Sequence, residues 1–560
     1  NVTNKKIINY DWDNNEVREK RTPNSAERRY QKTLSKNFTL YADYKKNFND
    51  RHDLSVMVGT SHESENYDRF TAKRINFDQQ ENMSLQLGSA QDQNAWSEGN
   101  QWTINSFFSR VNYTFANKYV IEGTIRADGS SRFDPDHRWG WFPGVNAAWR
   151  VGEEGFMKRL GWFEDLKVRA SYGEMGNQSG IGLYDYIQLI SLSNDYYPFG
   201  AGVKGQMATS GNIISTSRTW ETIQTTNVGF DFSTLNNRLY GSFDYFWKEN
   251  KNMLIPKTYP SMLGADAPST NSGHLSIHGW EISLGWRDQI KDFSYSVRFN
   301  ISDAKNKVVD RVGSNLIKLG NNETPTGYPL NSYFGYEFDG IIQNEQELEA
   351  YKSRFSEGGI PGDLSVGDAM YKDLDGDGKL SVLGDGKEGS GDVKYLGDKN
   401  PRYNFGFNLS MAWKGFDLSA FIQGVGRRTM FLEGESRCPM PEAWYQSAEY
   451  WYGKTWTPER TDAQYPAITL KDKRNYNYYV STNTKFNVAY ARLKNLQFGY
   501  TIPQTLTSKA GLQKVRVYFS GEDLFEVHNT PNGWDPEENS GSITSYPFTR
   551  NYSFGINVVF

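Results

Sequence analysis

The chain has 560 residues, a formal net charge of −4 and a sequence pI near 6.0, and this charge does not favour a nucleic-acid partner. The mean hydropathy is −0.71, and no run of about 18 apolar residues occurs, which excludes a membrane-spanning helix. These averages do not exclude a transmembrane β-barrel, because a barrel strand exposes only every second residue to lipid.

The N-terminal segment, residues 1–34, is predicted to be an incomplete leading strand or a loop. Asn1 begins within a pattern and is not part of a signal peptide, so we expect the sequence to start inside a longer chain. Cys438 is the single cysteine; it cannot form an internal disulfide and gives no indication of the cellular compartment.

Alternation of apolar and polar residues recurs along the chain and predicts strands of about ten residues. Phe107–Phe115 and Tyr119–Ala127 are separated by only three residues, which predicts a tight hairpin. In Phe293–Ser302, Arg298 must face a watery lumen, because it would cost about 2 to 4 kcal/mol at the bilayer midplane. The last segment, Asn551–Phe560, alternates large apolar with small polar residues, and aromatic residues form 15% of the chain, as expected for barrel girdles.

Roughly fifteen such strands are predicted, with short and long connections in alternation. They lie near residues 35–46, 52–60, 104–115, 118–127, 142–151, 165–173, 222–232, 239–249, 276–286, 293–303, 402–413, 416–426, 486–500, 514–524 and 548–560. We therefore predict an all-β fold: a transmembrane antiparallel up-and-down β-barrel forming a single domain over residues 1–560. The long loops, roughly 174–221, 304–401 and 427–485, would be extracellular, and Phe560 would lie at the periplasmic rim. A soluble sandwich or propeller is less favoured, because its strands average five or six residues.

A series of short motifs stands in a fixed order between about residue 50 and the C-terminus. The motifs are Asp128–Phe133, Arg138–Gly140, Phe142–Pro143, Ala148–Arg150, Leu166–Gly173, Gly176–Gln178, Trp220–Thr222, Asn227–Gly229, Tyr403–Phe407, Gly415–Leu418, Tyr490–Leu496, Gly499–Tyr500, Pro503, Asp535–Glu537 and Tyr546–Pro547. This ordered set resembles the SusC/RagA-type TonB-dependent outer-membrane transporters. Each motif is weak alone, but the ordered set is highly specific.

The resemblance implies more than the periodicity does. It implies a barrel of 22 strands in the cell outer membrane, closed around an N-terminal plug whose TonB box engages the TonB energy-coupling complex. It also implies a SusD-like surface lipoprotein as a lid, a dimer of barrel–lid pairs, and a bulky nutrient as substrate, usually an oligosaccharide and sometimes a peptide. The terminal Phe560 would serve as the signal for the barrel-insertion machinery.

The chain departs from that family pattern at its N-terminal end. Matched from the C-terminus, it would begin just before the eighth strand and would lack the plug and the TonB box. Two open sheet edges in lipid would cost on the order of tens of kcal/mol, because each unpaired backbone group costs several kcal/mol. We expect the missing strands to belong to the same polypeptide; closure by another chain is the alternative.

An acidic turn in the 304–401 loop has the spacing of a calcium loop. Asp373, Asp375 and Asp377 would occupy ligand positions 1, 3 and 5, and the carbonyl of Lys379 position 7. The usual acid at position 12 is missing, and Asp385, one residue further on, is the candidate to replace it. We predict a Ca²⁺ ion that orders the loop; an acidic turn held by side-chain to backbone bonds is the alternative.

Aromatic residues are concentrated in the 427–485 loop. Trp444, Tyr445, Trp451 and Trp456 are the candidate substrate-binding residues, because flat rings suit sugar faces and also peptide side chains. The alternative is that these rings pack the core of their own loop or contact the lid partner.

Charged residues of the first two motifs, Asp128, Arg132 and Arg138, are expected to hold the barrel rim together rather than to contact substrate. No HExxH, GxSxG or CxxC spacing occurs, and Gly453–Thr455 lacks the first glycine of a phosphate-binding loop. The sequence therefore does not predict an enzyme.

The leading functional hypothesis is TonB-dependent import of a bulky nutrient, most favourably an oligosaccharide, by a barrel subunit paired with a SusD-like lid. The alternative is a scaffold barrel in a larger outer-membrane assembly that does not transport. An importer of siderophores or cobalamin is a third hypothesis, which the ordered motifs disfavour.

Overall fold

Long β-strands dominate the computed structural model of the protein. It describes residues 2–3, 6–10, 17–21, 24–77, 84–91, 93–199, 203–210, 213–256, 262, 268–311, 317–322, 325–382, 391–441, 447–469, 473–538, 541, 546 and 548–560. Within these ranges, no helix is both long enough and apolar enough to cross a membrane.

One antiparallel sheet contains fifteen long strands in the described part of the chain, each hydrogen-bonded to the next in sequence. They are β1 (Ser25–Phe48), β2 (His52–Ile75), β3 (Gln93–Phe115), β4 (Tyr119–Ser130), β5 (Trp139–Trp149), β6 (Asp165–Asn177), β7 (Glu221–Thr234), β8 (Leu239–Pro256), β9 (Ser269–Ile290), β10 (Phe293–Arg311), β11 (Arg402–Trp413), β12 (Phe416–Arg427), β13 (Tyr490–Ile502), β14 (Lys514–His528) and β15 (Asn551–Val559). The pair Val2–Thr3 adds to the edge of β1. The neighbour-to-neighbour order is that of an up-and-down barrel wall, and the strand count agrees with the sequence prediction.

The first strands extend much further than predicted. β1 and β2 have 24 residues each, and at about 3.3 Å per residue each is roughly 80 Å long, more than a bilayer requires. Their distal halves carry polar contacts, such as Ser35 Oγ donating to Glu65 at 3.0 Å. Water reaches both faces of a hairpin above the membrane, so alternation is not required there and the sequence pattern does not reveal the strand.

The wall has two chemically different faces. On β15, Tyr552, Phe554 and Ile556 are largely exposed and point to the same side, where lipid would contact them. Phe554 packs on Phe519 of β14 with ring centroids 5.2 Å apart. Directly paired residues of neighbouring strands share a face, so the alternation also fixes the strand register.

Charged side chains lie on the opposite, lumen-facing side. Arg169 on β6 donates to Asp244 at 2.7 Å and to Asp231 at 3.2 Å. Arg516 likewise donates to Asp417 at 2.9 Å. Arg298 follows the same register and is exposed on this face, as its sequence position predicts.

Short turns join the strands at the end of the wall opposite the long loops. Between β3 and β4, Ala116 and Asn117 have φ of 52° and 56°, and between β7 and β8 three consecutive residues from Leu235 to Asn237 have φ of 56° to 59°. Positive φ at successive residues is the geometry of tight hairpins whose twist matches that of the strands. The predicted hairpin between β3 and β4 is therefore present.

The two long loops after β10 and after β12 fold together into one unit, which we call the loop body. It contains α2 (Glu345–Lys352) and α3 (Lys473–Asn477) together with three small sheets. The small sheets pair Gly320–Asn322, Ser332–Tyr336 and Val393–Asp398; Phe338–Ile341 with Ala369–Tyr371; and Thr429–Met430 with Phe486–Asn487. The amide of Tyr336 donates to the carbonyl of Val480 at 3.0 Å and so joins the two loops.

The remaining elements are small. They are α1 (Gly155–Leu160), α4 (Gln504–Thr507), the hairpins Lys6–Tyr10 with Val17–Arg21 and Ile190–Phe199 with Val203–Ser210, and 3₁₀ turns at Leu85–Leu87, Pro135–His137, Val151–Glu153, Gly434–Ser436, Glu449–Trp451 and Ser508–Ala510. Residues 1–34, predicted as a leading strand or loop, therefore contain short hairpin strands and the start of β1.

Candidate functional site

A polar cleft of about 550 Å³ lies on the lumen face of the wall, between residues of β2, β3, β4 and β6 and the segments that follow β4 and β6. Glu63, Arg126, Asp128 and Gln178 line it. The guanidinium of Arg126 donates to both carboxylate oxygens of Asp128 at 2.8 Å and remains about half exposed. The cleft therefore offers donors and acceptors side by side, which suits a ligand rich in hydroxyl or amide groups.

The motif after β4 closes one end of this cleft. Arg132 donates through Nη1 to the carbonyl of Ile181 at 2.7 Å, and the buried ring of Phe133 packs against Trp220 at 5.1 Å. Trp220 in turn donates to the carbonyl of Arg138 at 2.9 Å. These contacts agree with the expectation that the charged residues of this motif hold the rim together.

Two polar atoms beside the cleft are buried without a hydrogen-bond partner in the described part of the chain. They are Nε of Arg132 and Oε1 of Gln178, a donor and an acceptor. Buried polar atoms are ordinarily satisfied by protein or water. Water or a bound polar molecule is the ordinary partner of such atoms. Sequence reasoning did not single out Gln178 for this position.

A second cleft, of about 460 Å³, lies at the extracellular end of β13 and β14. Its floor is Arg492, which is 1% exposed and donates to Asp535 at 2.5 Å, with Glu537 3.4 Å away. The ring of Phe548 lies over its guanidinium at 4.4 Å. The Asp535–Glu537 motif thus neutralises a buried cation, and the charged floor belongs to the structure of the rim.

The acidic turn lies on the loop body with its carboxylates together. One oxygen each of Asp373, Asp375 and Asp377 lies within 4.8 Å of the others. Asp373 accepts from the amides of Gly376 at 2.7 Å and Gly378 at 2.9 Å, so the turn is held in shape by its own side chains. The three carboxylates keep lone pairs free and supply the hard oxygen donors that Ca²⁺ prefers, so this part of the predicted ligand set fits the ion.

A buried carboxylate stabilises the base of the acidic turn. Asp392 is fully buried and accepts from the amides of Leu374 at 2.6 Å and Ser381 at 2.7 Å. Burial, together with the charges of Asp375 and Asp373, raises its pKa. Asp385, the candidate to replace the acid at position 12, lies outside the described residues.

The aromatic candidates divide into buried and partly buried rings. Trp451 is 3% exposed, and its ring contacts Tyr465 at 4.9 Å and Tyr478 at 5.6 Å inside the core of the loop body. A ring enclosed in this way cannot stack on a substrate, so the prediction for Trp451 is wrong. Trp456 is partly buried and donates to Gln343 at 3.0 Å. Trp444 and Tyr445 lie outside the described residues.

Other rings at the extracellular side are freely accessible. Tyr452, next to Trp451 in the sequence, is 90% exposed, and so is Tyr546 at the mouth of the second cleft. Composition alone could not separate Tyr452 from Trp451. The 3₁₀ turn Glu449–Trp451 buries both Tyr450 and Trp451, whereas the chain leaves the turn in an extended conformation at Tyr452, whose ring is exposed.

The model of a protein family, the TonB-dependent receptor-like β-barrel, matches residues 3–524 of the chain. The chain belongs to this family. It is 31% identical over 558 residues to TonB-dependent receptor P3 of Formosa agariphila, covering 94% of the chain and 52% of that protein. It is 26% identical to TonB-dependent receptor SusC of Bacteroides thetaiotaomicron, covering 93% of the chain and 50% of that protein.

The fold agrees with the same family. Superposed on the structure of the RagAB peptide importer in its closed–closed state, the chain gives a TM-score of 0.79 at 24% identity, covering 96% of the chain and 56% of that structure. The chain spans about half the length of the relatives that it matches. The SusC/RagA type predicted from the motifs is confirmed, and the protein resides in the outer membrane.

Proposed function

We propose that this chain forms the barrel-wall part of a TonB-dependent importer that carries a bulky nutrient across the outer membrane. One observation carries the proposal: an outer-membrane wall of this family has a charged inner face that contains a polar cleft. A barrel interior with only a structural role would not need a side chain such as Arg126, whose guanidinium is about half exposed to solvent although it is paired with Asp128.

The proposed substrate class is an oligosaccharide. Arg126 and Gln178 present donors and acceptors that match sugar hydroxyls, and the exposed ring of Tyr452 suits the apolar face of a pyranose. The same groups can engage peptide amides, so peptide import is the competing outcome. The test is growth of a deletion strain on defined glycans and peptides. Growth lost on glycans alone supports the proposal, and growth lost on peptides alone overturns the sugar assignment.

The proposed partners are a SusD-like lipoprotein lid over the extracellular mouth and the TonB energy-coupling complex in the periplasm. The loop body supports the first, because its ordered core holds a fixed surface above the wall. Co-purification of a lipoprotein with the full-length protein, lost when the loop body is unfolded, would be the expected result. A stable complex without any energy-dependent uptake would instead favour the alternative, a scaffold barrel.

We also propose that Ca²⁺ occupies the acidic turn and orders the loop around it. The expected result is that calcium titrated into chelator-treated full-length protein binds at one site and protects the 304–401 loop from protease. Asp375→Asn should remove this binding, whereas Asp363→Asn, an exposed acid elsewhere in the loop, should leave it intact. A loop equally protected with and without calcium would contradict the proposal.

A further inference from the structure

The turn between β5 and β6 contains a short helix at the periplasmic rim. α1 follows Glu154 directly and ends at Gly161, which has the left-handed φ of 62° that glycine adopts without strain. We call residues 154–163 the rim segment. It joins strands that face the outer-membrane lipid on one side and the lumen on the other.

Both ends of the rim segment are attached to the lipid-facing side of the wall. Glu154 accepts from Tyr119 Oη at 2.6 Å and from Trp149 Nε1 at 3.2 Å, and both rings belong to the exposed lipid-facing set. At the other end, Phe163 packs edge-to-face on Phe232 of the same face, with centroids 6.4 Å apart. The chain therefore leaves and re-enters the wall on its outer side.

The rim segment exposes large apolar side chains although it lies outside the strands. Phe156 is 54% exposed, Leu160 is 50% exposed and Trp162 is 67% exposed. Phe156 and Leu160 are four residues apart in α1 and therefore lie on one helix face. Soluble surfaces rarely concentrate such residues, so this face requires an apolar neighbour.

Two basic residues lie between these apolar ones. Lys158 and Arg159 are both exposed, and Lys158 donates to Glu153 at 2.6 Å. A helix with apolar residues on one face and Lys or Arg beside them is typical of segments that lie in the plane of a membrane interface. Tryptophan is likewise enriched at the headgroup level, because its ring is apolar and its N–H is polar.

We propose that the rim segment is an interfacial anchor for phospholipid of the periplasmic leaflet. Phe156, Leu160 and Trp162 insert at the boundary between headgroups and acyl chains, and Arg159 binds lipid phosphate. The exposed apolar face is continuous with the lipid-facing wall through Tyr119 and Trp149, so a second protein is not needed to cover it. Such an anchor would fix the depth of the wall in the bilayer, independently of which nutrient is imported.

The test measures the surroundings of residue 160 in the full-length protein, reconstituted in nanodiscs of phosphatidylethanolamine and phosphatidylglycerol. A nitroxide is attached to Leu160→Cys, to Phe554→Cys as the lipid-facing control, and to Gln289→Cys, an exposed residue at a cleft on the lumen side. Labelling of the unsubstituted protein shows whether the buried Cys438 reacts. Collision with oxygen and with a water-soluble nickel chelate is then measured.

The expected result is that the label at 160 has a nickel accessibility several-fold below that of the label at 289 and between those of the labels at 289 and 554, as the boundary between headgroups and acyl chains requires. Nickel accessibility equal to that at 289 would overturn the proposal. A label protected from both reagents would also overturn it, because the helix would then be covered by protein. If phosphatidylglycerol moves the label at residue 160 deeper into the bilayer, Arg159→Gln should remove this movement. The same movement in the variant would exclude Arg159 from phosphate binding.

Discussion

The wall and the loop body of this protein are stabilised in different ways. Wall strands pair by backbone hydrogen bonds and expose side chains on both faces, so that even Phe554 and Ile556 remain largely open for lipid. The loop body instead encloses tyrosine-rich cores in which Phe334, Tyr371 and Tyr465 are at most 1% exposed. The wall therefore relies on the bilayer for its apolar burial, whereas the loop body provides its own.

This comparison predicts where substitutions are costly. In the loop body, truncation of a core side chain leaves a cavity and an unsatisfied hydrogen bond. In the wall, truncation of a lipid-facing side chain leaves a space that lipid fills, and only a charge is expensive. The following predictions start from the largest expected effect.

Tyr371→Ala should unfold the loop body while the wall stays intact. Tyr371 is 1% exposed, and its hydroxyl donates to the carbonyl of Tyr476 at 2.8 Å. Truncation of a large buried ring costs about 3 to 5 kcal/mol. The measurement is limited proteolysis of the extracellular loops, combined with heat-modifiable mobility of the barrel on gels. Tyr452→Ala, at an exposed site, is the control and should change neither; parallel loss of loops and barrel would contradict the comparison.

Leu409→Lys should destabilise the wall by about 2 to 4 kcal/mol, because a lipid-facing cation near mid-bilayer is costly. Ser410→Lys, one residue along β11 and facing the lumen, should cost less than about 0.5 kcal/mol. The measurement is urea unfolding in lipid vesicles. Equal costs at both positions would show that the assigned faces are wrong.

Acid should weaken the loop body before the wall. Lys372 and Lys394 donate to Glu337 at 2.6 Å and 2.5 Å, and these bonds lower the pKa of Glu337 to about 2 from its ordinary 4.5. Because the folded pKa is the lower one, the stabilisation is present above pH 4.5 and is lost as the pH falls toward 2. Protease sensitivity of the loops should rise in this range, and Glu337→Gln should remove the change. If Glu337→Gln showed the same dependence of protease sensitivity on pH, the ion pairs of Glu337 with Lys372 and Lys394 would be ruled out as the cause.

Trp456→Phe should have the smallest effect, about 0.5 to 1.5 kcal/mol, because it removes a single hydrogen bond to Gln343 and keeps one six-membered aromatic ring. The ring packs over Gly367, whose φ of 95° favours glycine. Thermal unfolding of the loop body is the measurement, with Gln343→Leu as the matched variant. A larger loss in Trp456→Phe than in Gln343→Leu, which also removes the bond from Gln343 to the carbonyl of Ile341, would indicate that this indole has a further role.

The wall was predictable from the sequence and the loop body was not. Lipid on one face of a strand requires an apolar side chain at every second residue. This alternation is visible within Asn551–Phe560 and within Phe293–Ser302, so the sequence predicts both strands. Above the membrane, the alternation of apolar and polar residues disappears from the N-terminal half of β1, so the sequence does not predict that this strand begins as early as Ser25. The core of the loop body joins Tyr351 to Tyr476, 125 residues apart, through a 2.8 Å hydrogen bond, and no local pattern reveals such a contact.

The candidate site was predicted unevenly for the same reason. The acidic turn depends on local spacing, and Asp373, Asp375 and Asp377 do lie together. The aromatic candidates depend on tertiary packing, which buried Trp451 and left Tyr452 exposed. The cleft at Arg126 combines residues from several strands, so its residues could be identified only after the register was known.

The most direct test of the proposed import is uptake of fluorescently labelled oligosaccharides by cells that carry the full-length protein, with and without an uncoupler of the inner-membrane proton gradient. We expect uptake that depends on the protein, falls several-fold with the uncoupler, and falls again in the cleft variant Arg126→Ala with barrel assembly unchanged. A correctly assembled barrel that imports neither glycans nor peptides under energised conditions would contradict the proposed function and would favour a scaffold.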